Sequence, residues 1–208
     1  MLRDISFHIS AGEHTAILGY NGSGKSTLLR SLVGLNRGDG RIWVAGLEVC
    51  RKNLREVRKK VGYMFQDPQV QLFCPTVLED VAFGPVNYHG DEARAEREAR
   101  EALEAVGYQG KLFAPCHTLS LGEMRKVALA GILVLQPELL LLDEPDSFLD
   151  VRGRDMLVNI LQEVPGITIL LVTHDITFAS SLCARAIVLE EGKVSYDGAL
   201  SDAPQLSS

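Results

Sequence analysis

Residues 19–27 read GYNGSGKST and directly follow a short apolar run at 15–18. Gly19, Gly22 and Gly24 lack Cβ atoms, so the backbone there can take up positive φ and bring its N–H groups close to a compact anion. Lys25 adds a point charge, and Ser26 offers a hydroxyl suited to a magnesium ion. From Lys25 onward Leu28, Leu29 and Leu32 recur on one helical face. The loop therefore opens a helix whose N-terminal dipole favours negative charge. Four residues at the G-x-x-x-x-G-K-[ST] spacing, set between strand and helix, predict a loop that binds a nucleoside triphosphate by its phosphates.

Hydrolysis needs a metal anchor and a group that orients the attacking water. LLLLDEP at 139–145 offers both, because an apolar strand delivers Asp143 and Glu144 at its C-terminal end. That edge is where open α/β sheets bind ligands. Asp143 can hold magnesium directly or through water, and Glu144 is the candidate general base or water-positioner. His174 follows the apolar run 167–173 and emerges at the same edge. On the residues alone a single histidine after a strand reads as structural, as do His8, His14, His89 and His117.

The elements that must position these groups alternate between strand and helix. Residues 2–9 alternate apolar side chains at Ile5, Phe7 and Ile9, as a half-buried strand does. Strands are predicted at 15–18, 41–44 and 61–65, with a strongly charged stretch at 53–60 between the last two. Residues 91–106 carry Ala95, Ala99, Ala102, Leu103 and Val106 at helical spacing, with Gly107 placed to end the helix. Glu96 and Arg100 form an i,i+4 pair on its solvated face. A further helix begins at Ser120, where SLGE matches a capping box, and stops before Pro137. Continuous apolar runs at 139–142 and 167–172 suit the centre of a parallel sheet. Segments 186–189 and 193–196 flank Glu191-Gly192 as a hairpin. The order predicts an α/β fold.

The totals restrict what this fold can do. A chain of 208 residues fits one large domain or a core with one insertion. Hydrophobic content of 46% supports a substantial core and excludes a disordered chain. With 21 basic and 27 acidic residues the net charge is −6, which argues against a protein that coats nucleic acid, and no nucleic-acid partner is expected. Cys50, Cys74, Cys116 and Cys183 are scattered without C-x-x-C spacing and read as reduced thiols of a cytosolic protein. No export signal is visible at the N-terminus. The most apolar segment, 128–142, is interrupted by Gln136, Pro137 and Glu138 and is too short to span a membrane.

Taken in order along nearly the whole chain, these motifs resemble the ATP-binding cassette ATPases of membrane transporters. GYNGSGKST matches the family's Walker A loop, and Gln66 its Q-loop glutamine. LSLGE at 119–123 stands where the signature LSGGQ belongs, LLLLDEP is similar to Walker B, SFLD at 147–150 to the D-loop, and THD at 173–175 to the switch histidine. Within the family, FQDPQVQLFCPTVLEDVAFGP at 65–85 resembles the ATPases of energy-coupling factor and cobalt or nickel importers. The resemblance implies a P-loop NTPase core of RecA-like type with a mostly parallel sheet, a small antiparallel β portion and an inserted α-helical subdomain. The core would span 1–66 and 137–208, and the insertion about 67–136.

It further implies ATP and Mg2+ as ligands. Asn21, Gly22, Ser23, Gly24, Lys25, Ser26 and Thr27 would enclose the phosphates, with Lys25 on the β and γ groups. Ser26, Gln66 and Asp143 would complete the magnesium shell, Glu144 would align water, and His174 would touch the γ-phosphate. Ser120 and the amide of Gly122 would face the ATP of a second ATPase subunit, identical or not. The pair would sit at the cytoplasmic side of the cell membrane beneath an integral coupling subunit, with cobalt, nickel or a vitamin as cargo that never touches this chain. Leu121 departs from the glycine usual in the signature, and its side chain or backbone is expected to weaken function. The aromatic that usually stacks on adenine has no counterpart here. Two alternatives stay open: a degenerate nucleotide-binding regulatory subunit, and a soluble cassette ATPase outside transport.

Overall fold

The computed structural model describes residues 2–147 and 149–204. The first half contains β1 (His14–Leu18), α1 (Lys25–Leu32), β2 (Trp43–Val44), β3 (Leu47–Glu48), α2 (Leu54–Lys60) and β4 (Val61–Met64). Three helices follow, α3 (Val77–His89), α4 (Glu92–Ala105) and α5 (Leu121–Leu133). The rest holds β5 (Leu139–Asp143), α6 (Val151–Gln162), β6 (Thr168–Val172), α7 (Ile176–Ser180), β7 (Arg185–Glu190) and β8 (Lys193–Ala199).

The main sheet has the order β4-β5-β6-β1-β7-β8, parallel except for the β7–β8 hairpin, and β2 and β3 form a separate antiparallel pair. In β5 and β6 every residue but the first is buried. Burial on both faces explains why these strands read as unbroken apolar runs instead of alternating. Alternate side chains feed two cores. Leu140, Leu142, Ile169 and Leu171 pack with residues of α3 to α7, while Leu141, Leu170 and Val172 pack with Leu28, Leu29 and Leu32 of α1.

The parallel register aligns the strand ends that matter. Met64 pairs with Leu142, Asp143 with Val172, and Ile17 with Val172. The loops after β1, β4, β5 and β6 therefore leave one edge side by side, as the rule for open α/β sheets requires.

Several sequence expectations need correction. Residues 2–9 form no strand, although Ile5, Phe7 and Ile9 do alternate inward and pack on the second core. An alternating pattern reports one buried face, and a segment can bury that face without joining a ladder. The strand predicted at 41–44 shrinks to Trp43–Val44. The helix α3 was not anticipated; it begins with a capping box between Thr76 and Glu79 and carries Pro85 in its interior.

Other expectations hold. Asp91 caps α4 by accepting the Arg94 N–H, and Glu96 and Arg100 pair at 2.5 Å. The Ser120–Glu123 capping box opens α5, and α3, α4 and α5 pack on one another. All four cysteines are free thiols, with Cys116 and Cys183 buried. His14 has ring nitrogens 3.1 and 3.2 Å from the carbonyls of Leu182 and Ile167, and His89 lies 3.1 Å from Glu98. Among the described residues no helix is long and apolar enough to cross a membrane.

Candidate functional site

The loop after β1 needs its glycines for two separate reasons. Gly19, Gly22 and Gly24 have φ of 148°, 82° and 107°, in the region L side chains rarely adopt. A Cβ on Gly19 would also collide with the Leu189 carbonyl and stand 2.7 Å from Ser23 Oγ. Gly24 serves as the N-cap of α1 and supplies no side-chain acceptor, so the first N–H groups of that helix keep their capacity for an anion.

Lys25 is only 6% exposed. Its Nζ donates to the carbonyls of Gly19 and Tyr20 at 2.7 and 3.0 Å, which ties the start of the loop to the start of the helix. Burial pulls the ammonium pKa down, and the carboxylates of Glu144 and Asp143 push it back up. Ser23 Oγ is buried with no hydrogen-bond partner. A buried orphan hydroxyl beside a ring of positive-φ glycines and a lysine fits a phosphate group. Asn21 and Thr27 lie exposed on the loop and on the first turn of α1.

Asp143 closes the other side. One carboxylate oxygen accepts from Ser26 Oγ at 3.0 Å and the second from the Tyr63 hydroxyl at 3.0 Å. Burial and then the neighbouring Asp143 raise the Tyr63 pKa, so this phenol stays protonated and donates. The set is a hydroxyl and one carboxylate, hard oxygen donors of the kind magnesium takes together with nucleotide phosphates. Among the described residues no cluster of three histidine, cysteine or acidic side chains forms a dedicated metal cage.

Glu144 has φ 48°, a conformation uncommon for a residue other than glycine. Its N–H donates to the Val172 carbonyl at 2.8 Å, and the kink swings its side chain toward the neighbouring loops. There Gln66 Nε2 donates to Glu144 Oε2 at 2.8 Å and Ser147 Oγ at 3.2 Å. His174 Nδ1 stands 3.9 Å from the same oxygen, with its side chain 64% exposed. Gln66 thus meets the glutamate, not Ser26 or Asp143. Beneath this group Asp146 accepts from Thr173 Oγ1 at 2.9 Å, and Arg154 pairs with Asp175 at 2.5 Å.

Ser120 and Gly122 lie at the N-terminal turn of α5, and Ser120 there is exposed. The Ser120 N–H and hydroxyl both donate to Glu123 Oε2, at 2.9 and 2.6 Å, and a Cβ on Gly122 would meet nothing within 4 Å. Leu121 is 44% exposed and sits in ordinary helical backbone, so the expected backbone penalty is absent and only the bulk of the side chain remains. In the segment 147–150, Asp150 caps α6 by accepting the Gly153 N–H at 2.8 Å, whereas Phe148 lies outside the described residues.

Sequence reasoning missed Tyr63 as a partner of Asp143, and it missed Arg125 and Asp146 altogether. Tyr63 reads as one more aromatic in a strand, and only the β4–β5 pairing shows that it ends beside Asp143.

Comparison with known proteins agrees with this geometry. The model of the ABC transporter family matches residues 2–147. An energy-coupling factor transporter ATP-binding protein, EcfA of Carboxydothermus hydrogenoformans, is 42% identical over 200 residues, covering 95% of this chain and 74% of the relative. Among solved structures, cbiO1 of Clostridium perfringens, part of the ABC transporter complex cbiONQ, aligns with a TM-score of 0.85 at 38% identity over 97% of this chain and 82% of that one. A dimeric post-hydrolysis state of the ATP-binding cassette MJ0796, bound to ADP and Pi, aligns with a TM-score of 0.85 at 28% identity over 96% and 90%. With a family model matched over most of its length and a glycine-rich loop and an acidic strand end on one α/β frame, this chain belongs to the ATP-binding cassette ATPases of ABC transporters.

Proposed function

We propose that this chain is the ATP-hydrolysing subunit of an importer of the energy-coupling factor type, carrying a vitamin or a transition-metal ion such as cobalt or nickel. The observation that carries the reading is the convergence of Lys25, Ser26, Asp143, Glu144, Gln66 and His174 on one sheet edge, while the Ser120 side chain, on the open N-terminal turn of α5, bonds only to Glu123 among the described residues and Gly122 has open space beside it. In this reading each cassette holds one half of a site. Two cassettes arranged head to tail complete it, so the chain works in a pair. That the MJ0796 cassette was solved as a dimer supports the pairing.

In this reading the loop 19–27 holds the phosphates by backbone N–H groups, and Lys25 exchanges its bonds to Gly19 and Tyr20 for the β and γ groups. Ser26 and Asp143 would hold magnesium, which would neutralise charge on the phosphate oxygens. Glu144 orients the attacking water, and Gln66 and Ser147 hold its carboxylate in place. His174, exposed beside Glu144, reaches the γ-phosphate.

Residues 67–136 form the inserted helical subdomain that carries nucleotide-driven motion to an integral membrane partner. A groove that starts at Gln71, five residues after Gln66, suits that contact. Gln71 is bonded there to the backbone of Tyr63 and Phe65, and exposed Phe73 and Phe83 stack edge-on at 4.8 Å, next to Tyr88 and Leu135. The chain would therefore lie on the cytoplasmic face of the membrane, bound through its partner.

Exposed Leu121 favours a second reading, a nucleotide-binding subunit that regulates an active partner. Turnover by the complex that co-purifies from detergent-solubilised membranes separates the two. Glu144→Gln abolishes turnover if this chain hydrolyses ATP, and equal turnover assigns hydrolysis to the partner.

A further inference from the structure

Arg125 lies five residues into the helix that starts at Ser120, and it is 3% exposed. Among the described residues its guanidinium forms no direct ion pair with a carboxylate. One Nη donates to the Pro145 carbonyl, and the other to the Ser147 carbonyl and, at 3.5 Å, to that of Gln66. Pro145 and Ser147 bracket the turn that follows Glu144. Gln66 is the residue whose amide holds the Glu144 carboxylate at 2.8 Å. Both ends of the Gln66–Glu144 bond are thus suspended from a single guanidinium.

We propose that Arg125 is the positioning residue through which the Ser120 helix sets the geometry of Glu144. The inference rests on the role given to Glu144 above. Three carbonyls in a fixed arrangement match the planar fork of arginine, and an ammonium cannot reach all of them at once. A charge this deeply buried needs compensation. Asp146, in the same turn, is buried too: one carboxylate oxygen accepts from Thr173 at 2.9 Å, and the other lies 3.8 Å from Arg154 without a hydrogen bond, so that its charge, with that of Asp67, offsets the burial of the guanidinium without fixing its orientation. The turn after Glu144 is therefore gripped from two sides, by Arg125 from α5 and by the Thr173–Arg154 pair from the loop bearing His174 and from α6.

The lever is short. Five helical residues span about 7.5 Å, so Ser120 and Arg125 move as one rigid piece. When the Ser120 turn engages a partner's nucleotide, any tilt of α5 shifts the carbonyls of Pro145, Ser147 and Gln66 together. Glu144 then moves with them. A strained residue at φ 48° is a suitable recipient, because its neighbours alone hold it in place.

The test uses the full chain, purified with the subunits that accompany it, and compares Arg125→Met and Arg125→Lys with the unaltered protein. A misplacement of about 1 Å costs on the order of 100-fold in rate. Both variants are therefore expected to lose about that factor in kcat, measured per nucleotide-binding site, while the Kd for a fluorescent ATP analogue stays within about threefold. Full kcat in Arg125→Lys overturns the inference, since a need for charge alone would be met by lysine. Unchanged kcat in both variants overturns it as well, as does a parallel loss of kcat and nucleotide affinity. If Arg125→Met fails to fold, Arg125→Lys decides by the same criteria. Glu144→Gln is measured beside them. If that variant keeps its turnover, the role of Glu144 falls and this inference with it; if it is inactive while the Arg125 variants are not, only the inference about Arg125 fails.

Discussion

Tyr63→Phe tests the proposed magnesium side of the site with a change of one oxygen atom. The ring is retained and still packs on Phe65, whose centroid lies 4.7 Å away. What disappears is the hydroxyl that donates to Asp143 at 3.0 Å, leaving one carboxylate oxygen of a buried aspartate without its protein donor. Hydrogen bonds to charged groups are worth about 1.5–3 kcal/mol, which is roughly 10- to 100-fold in an equilibrium constant. Partners that orient metal ligands affect affinity over the same range, about 10- to 100-fold. Tyr63 is only half-buried, and water can replace part of the bond, so the lower figure applies. The Mg2+ concentration for half-maximal ATPase activity should rise about tenfold, with kcat at saturating Mg2+ unchanged. Mg2+-dependent binding of a fluorescent nucleotide should shift by the same factor. A half-saturation point within about twofold of the unaltered protein, or a fall in kcat that excess Mg2+ does not restore, refutes the assignment of Tyr63 to Asp143.

Three further outcomes follow from other parts of the molecule. Ser23→Ala removes a buried hydroxyl that has no partner, so melting should rise by about 2–4 °C for roughly 1 kcal/mol, while nucleotide affinity falls; calorimetry and nucleotide titration read the two opposite signs. Leu121→Gly should raise ATP turnover of the assembled complex, because the side chain is exposed at the turn and its helical backbone is already one glycine accepts; equal or lower turnover removes bulk as the explanation. Asp175 has a lowered pKa, chiefly from the Phe178 N–H it accepts and also from Arg154. A lowered folded-state value means stability that is present above the ordinary aspartate pKa of about 3.9 and lost as pH falls through the lower value. Asp175→Asn should flatten the acid limb of a denaturation profile below about pH 4 and leave its slope near neutrality untouched.

The chemistry of the candidate site was largely legible in the sequence because its parts are local. Glycines fix loop conformations, an apolar run fixes a strand, and the acidic pair falls at that strand's end. What could not be read was anything that depends on a distant neighbour. Tyr63 meets Asp143 only because β4 pairs with β5 in one register. Arg125 sits inside a helix that reads as apolar, and nothing in LSLGEMRK says that its guanidinium turns inward to three carbonyls. The helix α3 escaped notice for a different reason. Gly84 and Pro85 interrupt its periodicity, yet the bulk of Leu135 fits against Gly84, and the capping box at Thr76 secures its start. Residues 2–9 show the reverse error, in which correct alternation carried no pairing with it.

The position of β1 in the sheet bears on how the chain acquires its activity during synthesis. This strand bears the phosphate loop and lies early in the sequence, yet its two neighbours are β6 and β7, in registers that set His14 beside Ile169 and Thr15 beside Arg185. A nascent chain that has emerged only as far as β4 thus has the nucleotide loop and lacks the frame that shapes it. Closing contacts across such a span is slow. A nucleotide that binds the folded loop stabilises the finished form by mass action. The shape of the nucleotide loop accordingly depends on strands from the last third of the sequence.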